Sequence, residues 1–428
     1  MNTDTKTFET YESEVRSYCR NFPAVFTTAK GSILSDEDGR QYIDFFCGAG
    51  ALNYGHNNPY IKKRIIDYLE QDGVLHAMDM YTAPKRAFIE YFENEIIRAR
   101  GLDYKIQFVG PTGTNAVEAA LKLARKVKKR TNVFALMGAF HGMTLGSIAL
   151  TTDADSRAGA GVPLYNVTHI PAPYMFPALD TVDYMERLIT DDHSGVEKPA
   201  AIVLETTQAD GEPALLRRRE MAEEEAVVHR VRALCDKYDI LMVVDDVQVG
   251  CARTGWFFSF ERAGIRPDIV TLSKSIGGYG MPFAVTLLKP ELDIWKPGEH
   301  NGTFRGYQLS LVAAKAGLEY MLNEHVEAGV REREKTVAKF MREEIETIDS
   351  RIETRGIGLL WGVDFGKFEG DISKKVLDEA FRNGLIVERV GRGNAVIKVM
   401  PALNVPAETL EKGLHILADA IRTVLAAE

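Results

Sequence analysis

Two short apolar runs in this chain end in groups that can do chemistry. Residues 241–244 stop at Asp245, with Gln248 three positions on, and residues 269–272 stop at Ser273 and Lys274. In open α/β sheets, strands that end in polar groups face a ligand crevice, so Asp245 and Lys274 are expected to meet in a site. A lysine amine that attacks an aldehyde needs a lowered pKa, and a buried carboxylate needs a cationic partner. A pyridine cofactor that carries an aldehyde answers both demands.

Other stretches extend the same series. Gly110 to Lys126, GPTGTNAVEAALKLARK, starts a helix with small residues, so Gly113 and Thr114 can offer amides to an anion. The plainer alternative is an N-cap made by Thr112 or Thr114. In AFHGMTLGS, Phe140 and His141 offer an aromatic face to a planar ring, or else core packing under a loop. Glu205 closes the run AIVLE at the same edge, or is simply a surface glutamate. The charged run from Arg217 to Glu225 reads as a solvated helix face. His56, His76 and His300 show no metal-binding spacing, so no metal is expected. A phosphate turn, an aromatic, a Glu, an Asp-x-x-Gln and a Ser-Lys, in that order, match what pyridoxal 5'-phosphate requires.

The elements that must position these residues follow from periodicity. At 428 residues, 45% hydrophobic and 26% charged, the chain is long enough for two or more domains. Strand-like runs at residues 106–109, 133–136, 201–204, 241–244, 269–272 and 283–287 alternate with helical stretches, the pattern of a parallel-type sheet. Ile61, Ile65, Ile66 and Leu69 form one face of a helix opened by Pro59. Leu410, Leu414, Leu417, Ile421 and Val424 form the stripe of the last helix. Beyond Tyr307 the runs at 358–365, 385–389 and 396–400 predict a smaller α+β unit. The expected divisions are an arm and β-hairpin over 1–56, a large cofactor-binding domain over 57–307 and a small domain over 308–428.

Charge and composition narrow the partners. A net charge of −9 argues against nucleic acid and anionic membrane. Four cysteines without CxxC spacing suggest a reducing compartment. The polar start is no signal peptide, and no run approaches about 20 apolar residues. A cytoplasmic enzyme acting on small molecules is expected.

The motifs SEVRSYCRNFP, GAGALNYGHNNP, DMYTAPKR, GPTGTNAVEAALKLARK, FHGMTLGS, VVDDVQVGCARTG, DIVTLSKSIGGYG and GEHNGTFRG span most of the chain. On them it resembles the class III aminotransferases of fold-type I, and within these the diaminobutyrate-forming branch that includes enzymes of ectoine synthesis. The resemblance implies an α/β fold, with a mostly parallel central sheet, helices on both faces and a smaller α+β domain. It implies that Lys274 holds the pyridoxal 5'-phosphate aldehyde carbon and shuttles the proton, that Asp245 pairs with the ring nitrogen, and that Gln248 meets the ring hydroxyl. Val247 and Phe140 would cover opposite ring faces, His141 would lie beside the ring, and Gly113 with Thr114 would hold the phosphate. Thr303 would reach the phosphate of a neighbouring subunit, so a homodimer or larger assembly is implied.

On the substrate side the resemblance makes Glu205 a gate that admits both an α-amino acid and an ω-amine. Lys398 stands where many class members carry an arginine for the substrate α-carboxylate, and specificity is expected also at Asn53 and Tyr54. The sequence departs from the class at Asp246, at Gly211-Glu212-Pro213 and at Tyr307-Gln308, the last two expected to alter the substrate entrance. The implied reaction takes the amine of L-glutamate to L-aspartate 4-semialdehyde, releasing 2-oxoglutarate and L-2,4-diaminobutyrate. An ornithine, acetylornithine or 4-aminobutyrate type is the alternative within the class.

Overall fold

The computed structural model describes residues 5–210 and 221–428. Three sheets organise them. A hairpin-rich edge is formed by β1 (Phe26–Lys30), β2 (Ile33–Asp36) and β3 (Gln41–Asp44). The central sheet comprises β4 (Lys105–Phe108), β5 (Val133–Leu136), β6 (Val167–Ile170), β7 (Ala201–Leu204), β8 (Leu241–Asp245), β9 (Ile269–Leu272) and β10 (Val285–Leu288). The C-terminal part adds β11 (Glu353–Ile357), β12 (Leu360–Asp364), β13 (Leu385–Ile386), β14 (Glu388–Val390) and β15 (Val396–Val399). The first sheet runs β1-β2-β3-β13, so the N-terminal hairpin pairs with a C-terminal strand.

The seven-stranded sheet has the order β4-β10-β9-β8-β7-β5-β6, with only β10 antiparallel to its neighbours. Its inner strands are buried at every residue, which is why they read as unbroken apolar runs. Successive side chains divide between two cores. Phe134, Ile202, Val244 and Val270 face one of them. Ala135, Val203 and Val243 face the other, against Val117 and Leu121 of the Gly113–Lys128 helix.

The structure departs from expectation in a few elements. β6 carries no unbroken apolar run and is not among the expected strands, because Thr168 and His169 interrupt its apolar character at a half-buried sheet edge. The expected run 358–365 is the second arm of a β11–β12 hairpin that turns at Gly358, where φ is +56°. In the Pro59–Glu70 helix, Ile61 and Ile65 are buried, whereas Ile66 and Leu69 stay exposed. All five apolar residues of the last stripe are buried in the Ala407–Ala426 helix. The Gly211-Glu212-Pro213 departure and the side chains of the charged run 217–225 lie outside the described residues. Among the described residues, no helix is long and apolar enough to cross a membrane.

One packing contact ties the fold to the strand ends. Gly278 has φ +73°, and a methyl there would overlap the carbonyl of Ala313 in the Gln308–Asn323 helix. That helix therefore presses on the turn that follows Lys274. Gly278→Ala is expected to cost about 2–3 kcal/mol through backbone strain and displacement of the helix. Urea unfolding monitored by tryptophan fluorescence checks this, and an unchanged midpoint would show that the contact is slack.

Candidate active site

The C-terminal ends of β5, β7, β8 and β9 deliver the polar groups to one edge. On β8, Asp245 is 4% exposed and its register partner on β9 is Thr271. Its carboxylate accepts from Thr271 Oγ1 at 3.0 Å, from the Val247 amide at 3.1 Å and from His141 Nδ1 at 2.7 Å. A carboxylate acceptor fixes the His141 proton on Nδ1. Burial lowers the His141 pKa, but the bond and charge of Asp245 outweigh it, with help from Glu205, and the net shift is upward. His141 Nε2 is buried without a hydrogen-bond partner among the described residues.

Lys274 follows β9 with φ +52°, a left-handed conformation that is costly for a residue with a side chain. Ser273 anchors the turn by donating to Phe283 O at 2.8 Å. Lys274 is half-buried and lines a cavity of 970 Å³ with Phe140, Asp210 and Gln248. Burial lowers its pKa, and Lys398 lowers it further against the opposing pull of Asp210, Glu388 and Asp245. An amine so placed is available as a nucleophile and as a base.

The expected anion turn begins the Gly113–Lys128 helix. Thr112 occupies the N-cap position, yet its side chain makes no capping bond, so the capping alternative does not use up the first-turn amides. A methyl on Gly113 would come within 2.8 Å of Val247 Cγ1, so Val247 packs directly on the turn. Thr114 Oγ1 meets Thr144 Oγ1 at 2.6 Å and also bonds Ser147 Oγ. Thr144 and Ser147 belong to the start of a second helix, Leu145–Leu150, with Thr144 as its N-cap residue. Two helix starts thus carry adjoining hydroxyls, and Thr144 and Ser147 join the expected Thr114 there.

Several expected substrate contacts are corrected. Glu205 does not line the cavity: its oxygens accept from the Phe140 amide at 3.2 Å and the Ala209 amide at 3.0 Å, which hold it beneath the turn. Five residues on, Asp210 does line the cavity, and it meets Lys398 Nζ at 2.6 Å. Lys398 is fully buried, paired also with Glu388 at 2.8 Å and with Gln248 Oε1 at 3.0 Å. Burial opposes its charge, but Asp210 and Glu388 raise its pKa overall.

Asn53 and Tyr54 are core residues. Asn53 donates to Cys251 O at 3.0 Å and accepts from the buried Arg253 at 2.6 Å. Tyr54 packs edge-on to Tyr320 at 5.7 Å. Gln308, expected near the entrance, is buried and accepts from Thr82 Oγ1 at 2.5 Å. Thr303 is exposed and lies away from this chain's own cavity lining. Asp210, Glu388 and Tyr18, whose hydroxyl donates to Glu388 at 3.3 Å, entered the site unannounced.

A lysine and a histidine-clamped aspartate stand at neighbouring strand ends of this sheet, and the fold that places them there is shared with solved aminotransferase structures. The ornithine aminotransferase of Toxoplasma gondii matches with TM-score 0.85 at 22% identity, over 99% of this chain and 94% of that one. A Bacillus anthracis aminotransferase matches with TM-score 0.86 at 23% identity, over 98% and 97%. The chain belongs to the class-III aminotransferase family, which residues 15–421 match. It is 50% identical to the diaminobutyrate–2-oxoglutarate transaminase of Streptomyces coelicolor, over 98% of each chain. To the protein of that name from Halalkalibacterium halodurans it is 48% identical, over 99% of this chain and 97% of the relative.

The buried acids make a pH prediction. Burial raises Glu205 and Asp246 to about 7 from their ordinary 4.5 and 3.8. The Asp246 carboxylate accepts from the Ser259 amide at 3.0 Å and from the Ser259 hydroxyl, and it neighbours Asp245 and Glu261. Protons held in the folded state stabilise it fully below the unfolded pKa, and that stability is lost as pH rises to the folded value. Asp246→Asn mimics the protonated acid. In urea melts of cofactor-free protein, it is expected to flatten the fall of stability between pH 5 and 7 by up to about 1.4 kcal/mol per pH unit. An unaltered slope would mean that Asp246 is ionised throughout.

Proposed function

We propose that this chain is a pyridoxal 5'-phosphate-dependent transaminase that moves the amine of L-glutamate to L-aspartate 4-semialdehyde, giving 2-oxoglutarate and L-2,4-diaminobutyrate. The observation that carries the reading is the likeness to relatives named for that reaction, which runs through the whole cavity-forming chain. The residues fit the cofactor. Asp245 is a buried anion suited to a protonated ring nitrogen, Lys274 is an amine with no bonded partner among the described residues, and the first-turn amides at Gly113 and Thr114 are uncapped.

In this reading Lys274 would hold the aldehyde carbon, Asp245 the ring nitrogen, and Gly113 with Thr114 the phosphate. Phe140 and Val247 would flank the ring and Gln248 would meet its hydroxyl. The bound cofactor supplies an electron sink for the carbon that loses its proton. Lys274 Nζ, once released, would take the proton from the amine-bearing carbon of glutamate and pass it to the aldehyde-derived carbon of the cofactor in the same half-reaction; in the second it would move a proton the opposite way, onto the former aldehyde carbon of the semialdehyde. His141 holds Asp245 in place by donating from Nδ1.

The gate expected of Glu205 falls to Asp210. Glutamate carries a carboxylate on its reacting carbon, which displaces Asp210 from Lys398. The aldehyde carbon of the semialdehyde carries none, so Asp210 stays closed on Lys398. Lysine serves here as a point charge where an arginine would offer a fork.

A second copy of the chain is part of the proposal. Val74, Leu75, Met80, Tyr81 and Phe304 are exposed, with Tyr81 at 102%. His76 stacks edge-on to Phe304, which brings segment 74–82 beside the Thr303 turn. An exposed apolar patch of this kind marks a protein interface, and it supports a homodimer in which Thr303 reaches the partner's phosphate. A cytoplasmic setting accords with the four free thiols, three of them buried.

Two experiments check the reading. Purified protein is expected to absorb in the visible, with borohydride bleaching the colour while fixing the cofactor covalently to the protein and Lys274→Ala abolishing the fixation; protein left colourless after cofactor incubation refutes it. Given glutamate and a panel of semialdehydes, the enzyme is expected to aminate aspartate semialdehyde at least about tenfold better than its longer homologue by kcat/KM. Preference for glutamate 5-semialdehyde or succinate semialdehyde would transfer the assignment to the ornithine or 4-aminobutyrate type.

A further inference from the structure

The cavity has four cations on its wall: Arg157, Lys274, Arg389 and Arg392. Two of them are spent on the fold. Arg157 donates to the carbonyls of Ile148, Ala149 and Thr151 at 2.8–3.2 Å. Arg389 pairs with Asp371 and donates to Ser373 Oγ at 3.0 Å. Lys274 is taken by the chemistry already described. Arg392 alone is left with no carboxylate and no hydrogen-bond acceptor among the described residues. Its guanidinium lies 5.6 Å from the centre of the Tyr174 ring, a platform that steadies a cation while leaving its donor edge open.

The loop that carries Arg392 is built to hold it. Gly391, Gly393 and Asn394 all have positive φ, at 76°, 59° and 55°. The Gly391 amide donates to Asp210 O at 2.8 Å, so the loop is fastened to the residue that covers Lys398. A guanidinium with open donors at the wall of a substrate cavity is a carboxylate receptor.

We infer that Arg392 is the specificity-determining receptor for the distal carboxylate of both substrates, an assignment that rests on the proposed transamination. The carbon skeletons make one receptor sufficient. In glutamate the side-chain carboxylate carbon stands three bonds from the carbon that reacts. In aspartate 4-semialdehyde the only carboxylate carbon also stands three bonds from the reacting carbon. Arg392, exposed on the wall of the same cavity as Lys274, therefore can meet both carboxylates, while Lys398 serves only the carboxylate on the reacting carbon of glutamate. Carbonyl acceptors one carbon longer would place their carboxylate out of register with Arg392.

Single half-reactions of the cofactor-loaded enzyme, followed by visible absorbance in a stopped-flow instrument, test this with two amino donors. L-Glutamate has the distal carboxylate, and L-2-aminobutyrate lacks it. For Arg392→Gln, the apparent dissociation constant of glutamate is expected to rise about tenfold or more, with the limiting rate within about threefold of wild type. The constants for 2-aminobutyrate should not move, Arg392→Lys should recover part of the glutamate affinity, and the KM for aspartate semialdehyde should rise in parallel. Unchanged glutamate affinity, or an equal loss with both donors, would overturn the assignment, since the second result is what mere damage to the loop produces. An unchanged KM for the semialdehyde would overturn the shared receptor. A wild-type enzyme that gives no absorbance change with either donor would instead bring down the transamination reading on which this rests.

Discussion

Everything at the strand ends depends on keeping one negative charge, that of Asp245, at a fixed place inside the protein. A carboxylate 4% exposed is stable only with donors around it, and here His141, Thr271 and the Val247 amide supply them. Each donor comes from a different part of the chain: the turn after β5, the neighbouring strand β9, and the turn after β8 itself. The parallel register that sets Thr271 opposite Asp245 is thus part of the electrostatics of the site as well as of the sheet.

The remaining acids are arranged so that this charge is not multiplied. Glu205 and Asp246 lie beside Asp245, and burial pushes each up to about 7. Below about pH 7, where they are protonated, they take part in hydrogen bonds without adding repulsion. Asp210 and Glu388 take the other course: both meet Lys398, and the cation keeps Asp210 below the usual carboxylate range despite its burial. A fully buried lysine gripped by two acids is expensive to desolvate and is tolerated because the pair is mutual. The same arrangement makes it responsive, since a substrate carboxylate can replace one acid without leaving the lysine unpaired.

What the sequence disclosed follows from the range of the forces involved. Inner strands were legible because burial on both faces forces an unbroken apolar run, as in residues 201–204 and 269–272. The edge strand Val167–Ile170 carries His169 and Thr168 and lost that signature. Asp245, Lys274, Phe140 and Gln248 were legible because each ends its strand or follows it by a few residues. Glu205 misled for the same reason: its position at a strand end is right, but two backbone amides turn its carboxylate away from the cavity. Asn53 and Tyr54 sit in a glycine-rich segment that suggests a loop near ligand, whereas the fold spends them on Arg253 and Tyr320. Tyr18, Asp210 and the segment that carries both Glu388 and Arg392 are far apart in sequence. Only closure of the C-terminal sheet over the β7 turn brings them together.

That closure also explains how one cavity can serve two substrates without two sites. The bond from the Gly391 amide to Asp210 O joins the Arg392 loop to the acid that covers Lys398. Displacement of the Asp210 side chain leaves its carbonyl, and hence the loop, where it was. On the proposed roles, the carboxylate common to both substrates would meet the same cation in each half-reaction, while the one that differs would be handled by an exchange of partners on Lys398. Recognition is divided between a fixed charge and a switchable one, and the fixed charge sets the register in which Lys274 meets the reacting carbon.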